Sequence, residues 1–229
     1  MTLFFKKSFS IITVRGITSI QFYCFKYFTE LMNIPSQKKC FELIEQMNMM
    51  SHIIDHSITV ANVAYFLSKK LKQKFPEIDI NLATSAALLH DITKTRSFKT
   101  KESHSATGGE LLTGLGYPET GNIIRQHIIL DSYTMNSPVS EQEIVNYSDK
   151  RVLHDQVVLL EKRLAYIHKK YGTQKGFKGR IKIMWAKTVN LEKKLFSHLD
   201  IKPEELSRNI ELRIKRQDYE KWLESAIEI

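Results

Sequence analysis

The chain has 229 residues, 42% of them hydrophobic and 26% charged, an ordinary composition that suffices for one hydrophobic core. Its 9 Gly and 5 Pro are too few for a turn-rich β architecture, and its 2 Cys exclude a disulfide framework. A reducing compartment follows, and we expect the protein to lie in the cytoplasm.

The net charge of +9 is unevenly distributed along the chain. Residues 32–149 hold 11 Lys and Arg against 13 acidic residues, whereas residues 150–229 hold 19 against 11. The middle of the chain is therefore not a basic nucleic-acid surface. The C-terminal excess could attract phosphates, although a solvated helix face is the commoner reason for such a surplus. Nucleic acid stays open as a partner but is not favoured.

The first 31 residues are aromatic-rich and nearly free of acids. Their longest uncharged run, residues 16–25, is far shorter than the roughly 20 apolar residues of a membrane helix, so no membrane partner is expected. Arg15 also interrupts the apolar stretch that a secretory signal would need. We interpret residues 1–31 as an extension, spurious or disordered, upstream of a start at Met32; a structured helix and a targeting segment are the alternatives.

From Pro35 onward the apolar residues follow the spacing of amphipathic helices. This pattern, with its breaks, predicts helices over residues 37–49, 53–71, 81–90, 104–115, 118–130, 140–171, 180–198 and 203–226. Ser140 can cap the long helix, with Glu143 reaching back to the Ser140 amide. No segment shows a convincing alternation of period two. The sequence therefore predicts an all-α protein, with a main domain over residues 32–172 and a basic helical extension over residues 173–229.

One predicted helix ends in a histidine followed by an aspartate. The stretch "AALLHDITKT", residues 86–95, runs apolar for four positions and then presents His90 and Asp91. The apolar run packs the helix into the core, and its end carries an imidazole beside a carboxylate. Because such a pair is common, its meaning depends on partners elsewhere in the chain.

A second aspartate stands on an apolar helix face. Asp149 has Val145 four residues before it and Val152 three residues after it, so all three share one side. A buried carboxylate needs a cation or strong donors, because its desolvation costs several kcal/mol. A salt bridge to Arg125 or Lys150 is the structural explanation, and a metal ion is the functional one.

Three further histidines could serve a metal site. Taken singly, each is more often a hydrogen-bonded core residue than a ligand. With the His-Asp pair and the second aspartate they give four imidazoles and two carboxylates, a set that suits Mn, Fe, Zn or Ni and is large enough for two ions. The candidate ligands are His56, His90, Asp91, His104, His127 and Asp149.

This order of ligands resembles the HD-domain superfamily of metal-dependent phosphohydrolases. Its motif H…HD…D is carried by His56, by His90 with Asp91, and by Asp149. The stretch "LLHDITK", followed by "GGELLTGLG" and "IIRQH", is similar to the subgroup whose core motif reads HDIGK, although Thr93 stands where that subgroup has glycine. The resemblance covers roughly residues 40–155.

The resemblance implies a helical bundle whose facing helices deliver the ligands to a two-metal centre. One ion would take His56, His90, Asp91 and Asp149, and the other would take His104 and His127 with Asp91 as the bridge. It also implies a catalytic role for Asp91 and a reaction in which a metal-activated hydroxide attacks phosphorus. Lys94 would offset the charge on the phosphoryl oxygens, unless it is an exposed helix-end lysine.

The substrate is less defined than the chemistry. The pattern resembles enzymes that cleave symmetrical dinucleoside tetraphosphates, and it resembles the HD-GYP branch in the tripeptide at residues 116–118 but not in the residues around it. We expect a phosphoester or phosphoanhydride of a small nucleotide-like molecule. A di-iron oxygenase, a regulatory module that binds metal and nucleotide without turnover, and a helical interaction protein are the alternatives. Trp185 and Trp222 are expected to dock on the bundle or on a second subunit, which leaves a homodimer open.

Overall fold

The computed structural model describes residues 33–171 and 177–227, so the interpretation of residues 1–31 lies outside the described residues. Its helices and strands are α1 (Gln37–Gln46), α2 (Ser51–Leu71), α3 (Ile80–Leu89), α4 (Lys94–Thr100), α5 (His104–Gly114), α6 (Pro118–Arg125), α7 (Glu141–Lys150), β1 (Val152–Leu153), β2 (Gln156–Val157), α8 (Leu160–Tyr171), α9 (Phe177–Phe196), a 3-10 turn (Pro203–Glu205), α10 (Leu206–Asn209) and α11 (Arg216–Ile227). The all-α prediction is confirmed. None of the described helices is long and apolar enough to cross a membrane.

Helix α2 lies at the centre of the bundle. It contacts α3, α7 and the β-hairpin, and its core face is fully buried at Val60, Val63 and Leu67. Ala61 and Ala64 are also fully buried, and their small side chains let neighbouring helices approach closely. Helix α3, which ends just before His90 and Asp91, and helix α7, which carries Asp149, therefore pack on the helix that carries His56.

Helices α5 and α6 form a tight pair through two glycines. A Cβ atom on Gly121 would lie 2.5 Å from the carbonyl oxygen of Gly109, and one on Gly109 would lie 2.8 Å from that of Gly121. A side chain at Gly109 or Gly121 would therefore force the two helices apart. The pair fixes His104, at the start of α5, relative to His127, just beyond α6.

The predicted helix over residues 140–171 is wrong, because the chain reverses in a β-hairpin. Ser140 caps α7 as expected, but α7 ends at Lys150. The strands then pair antiparallel, Val152 with Val157, across a turn in which His154 adopts φ +56°, outside the helical region. Apolar residues at both ends of this segment fit a helix as well as two short strands, so the sequence pattern could not separate them.

Three other parts of the chain differ from the predicted helices. The short α4 was not predicted, and α6 ends at Arg125, whereas the sequence pattern favoured a helix to residue 130. The predicted helix over residues 203–226 is broken. Its break is stabilised by Asn62, whose side chain bonds the N–H of Ile214 at 2.9 Å and the carbonyl at 2.8 Å, groups that a continuous helix would pair internally.

The C-terminal elements pack on the helices that precede them. Helix α9 contacts α7 and α8, and Trp185 is 8% exposed. Buried Lys194 donates to buried Glu143 of α7 across 2.6 Å. Trp222 of α11 lies with its ring centroid 6.0 Å from that of Phe41 in α1. Both tryptophans therefore have partners within this chain, and the domain boundary near residue 172 stays a prediction.

Candidate metal centre

The six candidate ligands come from five helices or from residues just beyond them, and they meet at one cavity. Two lie inside α2 and α7, and four lie at or just beyond the ends of α3, α5 and α6. The cavity has a volume of about 680 Å³. Its walls include His56, Asp91, His104, His127 and Asp149, and the fully buried His90 lies behind them.

Asp149 is the centre of one group of donor atoms. Its Oδ1 lies 3.2 Å from Nε2 of His56 and 3.8 Å from Nε2 of His90. These three side chains could hold one metal ion. Of the two salt bridges expected for Asp149, only the one to Lys150 is present, with Nζ 3.2 Å from Oδ2. Arg125 pairs with Asp131 instead.

Asp91 is the centre of the other group. Its Oδ2 lies 3.3 Å from Nε2 of His90, and its Oδ1 lies 3.2 Å from Nε2 of His104 and 3.7 Å from Nε2 of His127. His90, Asp91 and His127 could hold a metal ion, and His104 lies beside them. The sequence-predicted ligands are thus brought together, with His90 between the two carboxylates.

Backbone carbonyls fix the orientation of three of the imidazoles. Nδ1 of His56, His90 and His127 lies 2.7 Å from the carbonyl oxygens of His154, Ala87 and Ile124, respectively. A carbonyl oxygen can only accept, so each Nδ1 carries the hydrogen. In the neutral ring Nε2 then presents its lone pair to the cavity, the arrangement typical of metal-bound histidines.

The arrangement fits a divalent cation. Nε2 of His90 and Oδ1 of Asp91 are buried and have no hydrogen-bond partner. At the other end, Nε2 of His56 lies 3.2 Å from Oδ1 of Asp149, a contact that either a proton or a bound cation between the two atoms would satisfy. Metal–nitrogen distances of about 2.0–2.1 Å place neighbouring ligand atoms roughly 3.0–3.4 Å apart, close to these separations.

Neighbouring charges keep both carboxylates ionised. Burial alone would raise the pKa of Asp91, but His90 and Lys94 hold that pKa well below its usual value. Burial would likewise raise the pKa of Asp149, and Lys150 is the largest of the influences that lower it instead. Both acids are therefore ready to bind a cation.

The pKa values of the two buried imidazoles, His90 and His127, are shifted in opposite directions. Burial and the nearby His90 hold the pKa of His127 well below its usual value, so His127 is neutral. Burial also disfavours a charge on His90, but Asp91 and Asp149 outweigh it and raise the pKa of His90. The two carboxylates thus favour a positive charge beside His90, which a proton or a bound metal ion can supply.

Lys94 lies in the cavity at the start of α4. Its Nζ is 2.6 Å from Oδ2 of Asp91, and 31% of its side chain is exposed. The alternative of a solvated helix-end lysine is therefore not what the structure shows. Its role in charge stabilisation stays a prediction.

Sequence reasoning missed Arg163, a third basic residue of the cavity wall. Its terminal nitrogen lies 3.7 Å from Oδ1 of Asp149. In an unbroken helix a separation of 14 positions would place the two backbones about 21 Å apart. The hairpin returns α8 to the site, so recognising the tight turn at His154 and Asp155 would have been the way to find this residue.

Comparisons with known proteins identify the family of the chain. The family model of the HD domain matches residues 53–167, which include all six candidate ligands. An uncharacterized protein of Methanocaldococcus jannaschii is 29% identical over 137 residues, 51% of this chain and 80% of that protein.

Two larger relatives match over part of their length. Ribonuclease Y of Petrotoga mobilis is 25% identical over 169 residues, 67% of this chain but 31% of the relative. The tRNA (cytidine(56)-2'-O)-methyltransferase of Thermoplasma volcanium is 30% identical over 96 residues, 42% of this chain and 26% of the relative.

One solved structure is also similar to this chain. It is described as a "predicted HD superfamily hydrolase" from an uncultured Thermotogales bacterium, and it is 20% identical with a TM-score of 0.41. The match covers 74% of this chain and 97% of that one.

Proposed function

Since this chain belongs to the HD-domain family of metal-dependent hydrolases, we propose that it cleaves a phosphoester or phosphoanhydride of a small nucleotide-like substrate. The observation that carries the proposal is the pair of buried atoms without hydrogen-bond partners, His90 Nε2 and Asp91 Oδ1, at the meeting point of four imidazoles and two carboxylates. We expect the protein to act in the cytoplasm.

The residues divide into two sets of metal ligands, with Asp91 shared. We assign one divalent ion to His56, His90, Asp91 and Asp149, and a second to His104 and His127 beside Asp91. Mn, Fe, Ni and Zn suit these ligands. Bound ions would supply Lewis acidity and would lower the pKa of a coordinated water.

The chain itself supplies orientation and charge. The carbonyl oxygens behind His56, His90 and His127 hold each ring with Nε2 toward the cavity. Lys94 is held by Asp91 at the wall of the cavity, where its ammonium group can offset charge on the phosphoryl oxygens.

The names of two relatives, a ribonuclease and a tRNA methyltransferase, refer to RNA chemistry, but this chain spans less than a third of each. We therefore propose a small phosphorylated substrate, with RNA as the competing class. Residues 32–149, which include the ligands, hold 13 acidic residues against 11 Lys and Arg, a balance that favours a small ligand over the long phosphate backbone of an RNA strand.

Metal analysis and a substrate panel test the proposal. Protein purified without added metal should contain about two equivalents of transition metal by elemental analysis, and it should hydrolyse at least one member of a panel of phosphomonoesters, nucleotides and dinucleoside polyphosphates. Oxygen consumption without phosphate release would instead support the oxygenase alternative. Protein that binds no metal and releases no phosphate would contradict the proposal.

A further inference from the structure

Arg163 is a mostly buried cation with a guanidinium nitrogen that has no hydrogen-bond partner. Its side chain is 16% exposed, and Nε is buried without a hydrogen-bond partner. The nearest acid, Asp149, lies 3.7 Å from a terminal nitrogen, longer than a hydrogen bond. The donors of the guanidinium group are thus available at the cavity wall.

Asp149 is a poor explanation for the position of Arg163. Its Oδ1 already lies 3.2 Å from His56, and its Oδ2 accepts from Lys150 at 3.2 Å. The same carboxylate is a candidate metal ligand, which would engage its oxygens further. Arg163 therefore needs another anion to satisfy the planar donor fork that makes arginine a phosphate-binding residue.

The described wall of the cavity is basic apart from its candidate ligands. Four cationic side chains line it, Lys94, Lys150, Arg163 and Lys170, against two carboxylates, a balance of 4 − 2 = +2 with neutral histidines. Metal ions would make this balance more positive. Such a cavity favours an anion that carries more than one charge.

We propose that Arg163 binds a phosphate group of the ligand from the Asp149 side, and that the cavity selects a terminal phosphate or phosphoanhydride over a phosphodiester. The inference rests on the proposed function and narrows its substrate class. A terminal phosphate carries a charge of about −1.5 to −2 near neutral pH. A phosphoanhydride carries at least one negative charge on each of its linked phosphates, whereas an isolated diester carries one in all. Lys94 and Arg163 approach the cavity from different carboxylates, Asp91 and Asp149, and so can contact one phosphate group from two sides.

Calorimetric binding to the full chain, with the metal that it retains on purification, tests the inference at pH 8. The probes are inorganic phosphate and dimethyl phosphate, which differ in charge but share the tetrahedral centre. Wild-type protein should bind phosphate more tightly. Arg163→Gln should weaken phosphate binding about tenfold or more and dimethyl phosphate binding less than about threefold, since it removes a charge-assisted, two-pronged contact.

Two further variants separate a binding role from a structural one. Arg163→Lys keeps the charge but not the fork, and it should give an intermediate loss of phosphate affinity. Lys162→Gln changes the exposed neighbouring residue and should match the wild type in both affinities. Melting temperature and metal content should stay unchanged in all three variants.

Wild-type phosphate affinity in Arg163→Gln would overturn the inference. An equal loss of affinity for phosphate and dimethyl phosphate, with a lower melting temperature and loss of metal, would also overturn it. That result would mean that Arg163 only holds α8 against Asp149. If Arg163→Gln does not fold, Arg163→Lys with unchanged phosphate affinity also overturns it. Failure of the proposed function is distinguishable, because Arg163-dependent phosphate binding without hydrolysis of any phosphoester would contradict only the reaction.

Discussion

Asp91 is the residue shared by the two candidate ions, and its replacement should affect both. Asp91→Asn keeps the size of the side chain but removes a carboxylate that lies within 3.2–3.7 Å of three imidazoles. We expect both ions to be lost or weakened, as measured by elemental analysis, and hydrolysis to be abolished. Asp131→Asn is the control, because this exposed aspartate pairs with Arg125 away from the ligands. Wild-type metal content in Asp91→Asn would contradict the shared-ligand assignment.

His104 and His127 serve only the second ion in our assignment. His104→Ala and His127→Ala should therefore each lose one equivalent of metal and keep the other, which retains His56, His90, Asp91 and Asp149. Titration of the metal-free variants by calorimetry should show one site instead of two. If His104→Ala keeps the wild-type metal content and full activity, His104 is not a ligand. His198→Ala, remote in sequence and in edge-to-face contact with Phe75, is the matched histidine control.

Lys94 separates ligand binding from charge stabilisation. Lys94→Met keeps most of the side-chain stem and deletes the ammonium group that lies 2.6 Å from Asp91. Both ions should remain, while kcat should fall about 10²-fold or more, the usual scale for one electrostatic donor. Unchanged kcat with bound metal would return Lys94 to the role of a structural partner of Asp91.

At the scale of the element, the packing of α5 on α6 depends on the absence of side chains. Gly121→Ala would place a Cβ atom 2.5 Å from the Gly109 carbonyl and 2.6 Å from Oγ1 of Thr113. We expect a loss of about 2–3 kcal/mol in the free energy of unfolding, measured by urea denaturation. Gly114→Ala meets no atom within 4 Å and should stabilise the protein by up to about 1 kcal/mol through helix propensity. Equal effects of the two substitutions would contradict a close approach of these helices.

The elements also show what the sequence could and could not predict. His56, His104 and Asp149 lie on helices whose apolar spacing was continuous, so their faces could be predicted from periodicity. Arg163 could not be placed, because the reversal at residues 152–157 depends on a tight turn and not on a change in hydrophobic pattern. The resemblance to a known family selected the ligands among the histidines, which periodicity alone could not do.

At the scale of the whole molecule, one buried ion pair joins α9 to the bundle. Lys194 and Glu143 are 0% and 3% exposed, and their atoms lie 2.6 Å apart. Lys194→Met should leave a buried carboxylate unpaired and lower the free energy of unfolding by about 3–5 kcal/mol. Adding Glu143→Gln should restore much of this loss, because the uncompensated charge is removed while the amide can still accept from Ser140. A double variant as unstable as the single one would show that the pair acts through packing.

The excess of basic residues beyond residue 149 does not by itself identify the residues that line the cavity. The residues beyond 149 carry the charge surplus, yet single members of that region, such as Arg163, enter the cavity while others lie on the surface. The net charge of a segment therefore does not show which of its cationic side chains lie near the candidate ligands. The three-dimensional path of the chain shows this.

The hairpin also means that alanine scanning would overlook one determinant of the centre. His56 is oriented by the carbonyl oxygen of His154, a backbone group that every single-residue replacement leaves in place. His154→Gly should even relax the left-handed φ of +56° while preserving that acceptor. Only a change in loop length, such as one residue inserted between His154 and Asp155, would move the oxygen. A peptide oxygen 98 positions away in the chain thus sets the tautomer of His56, and length variation in this turn is a more informative probe than side-chain chemistry.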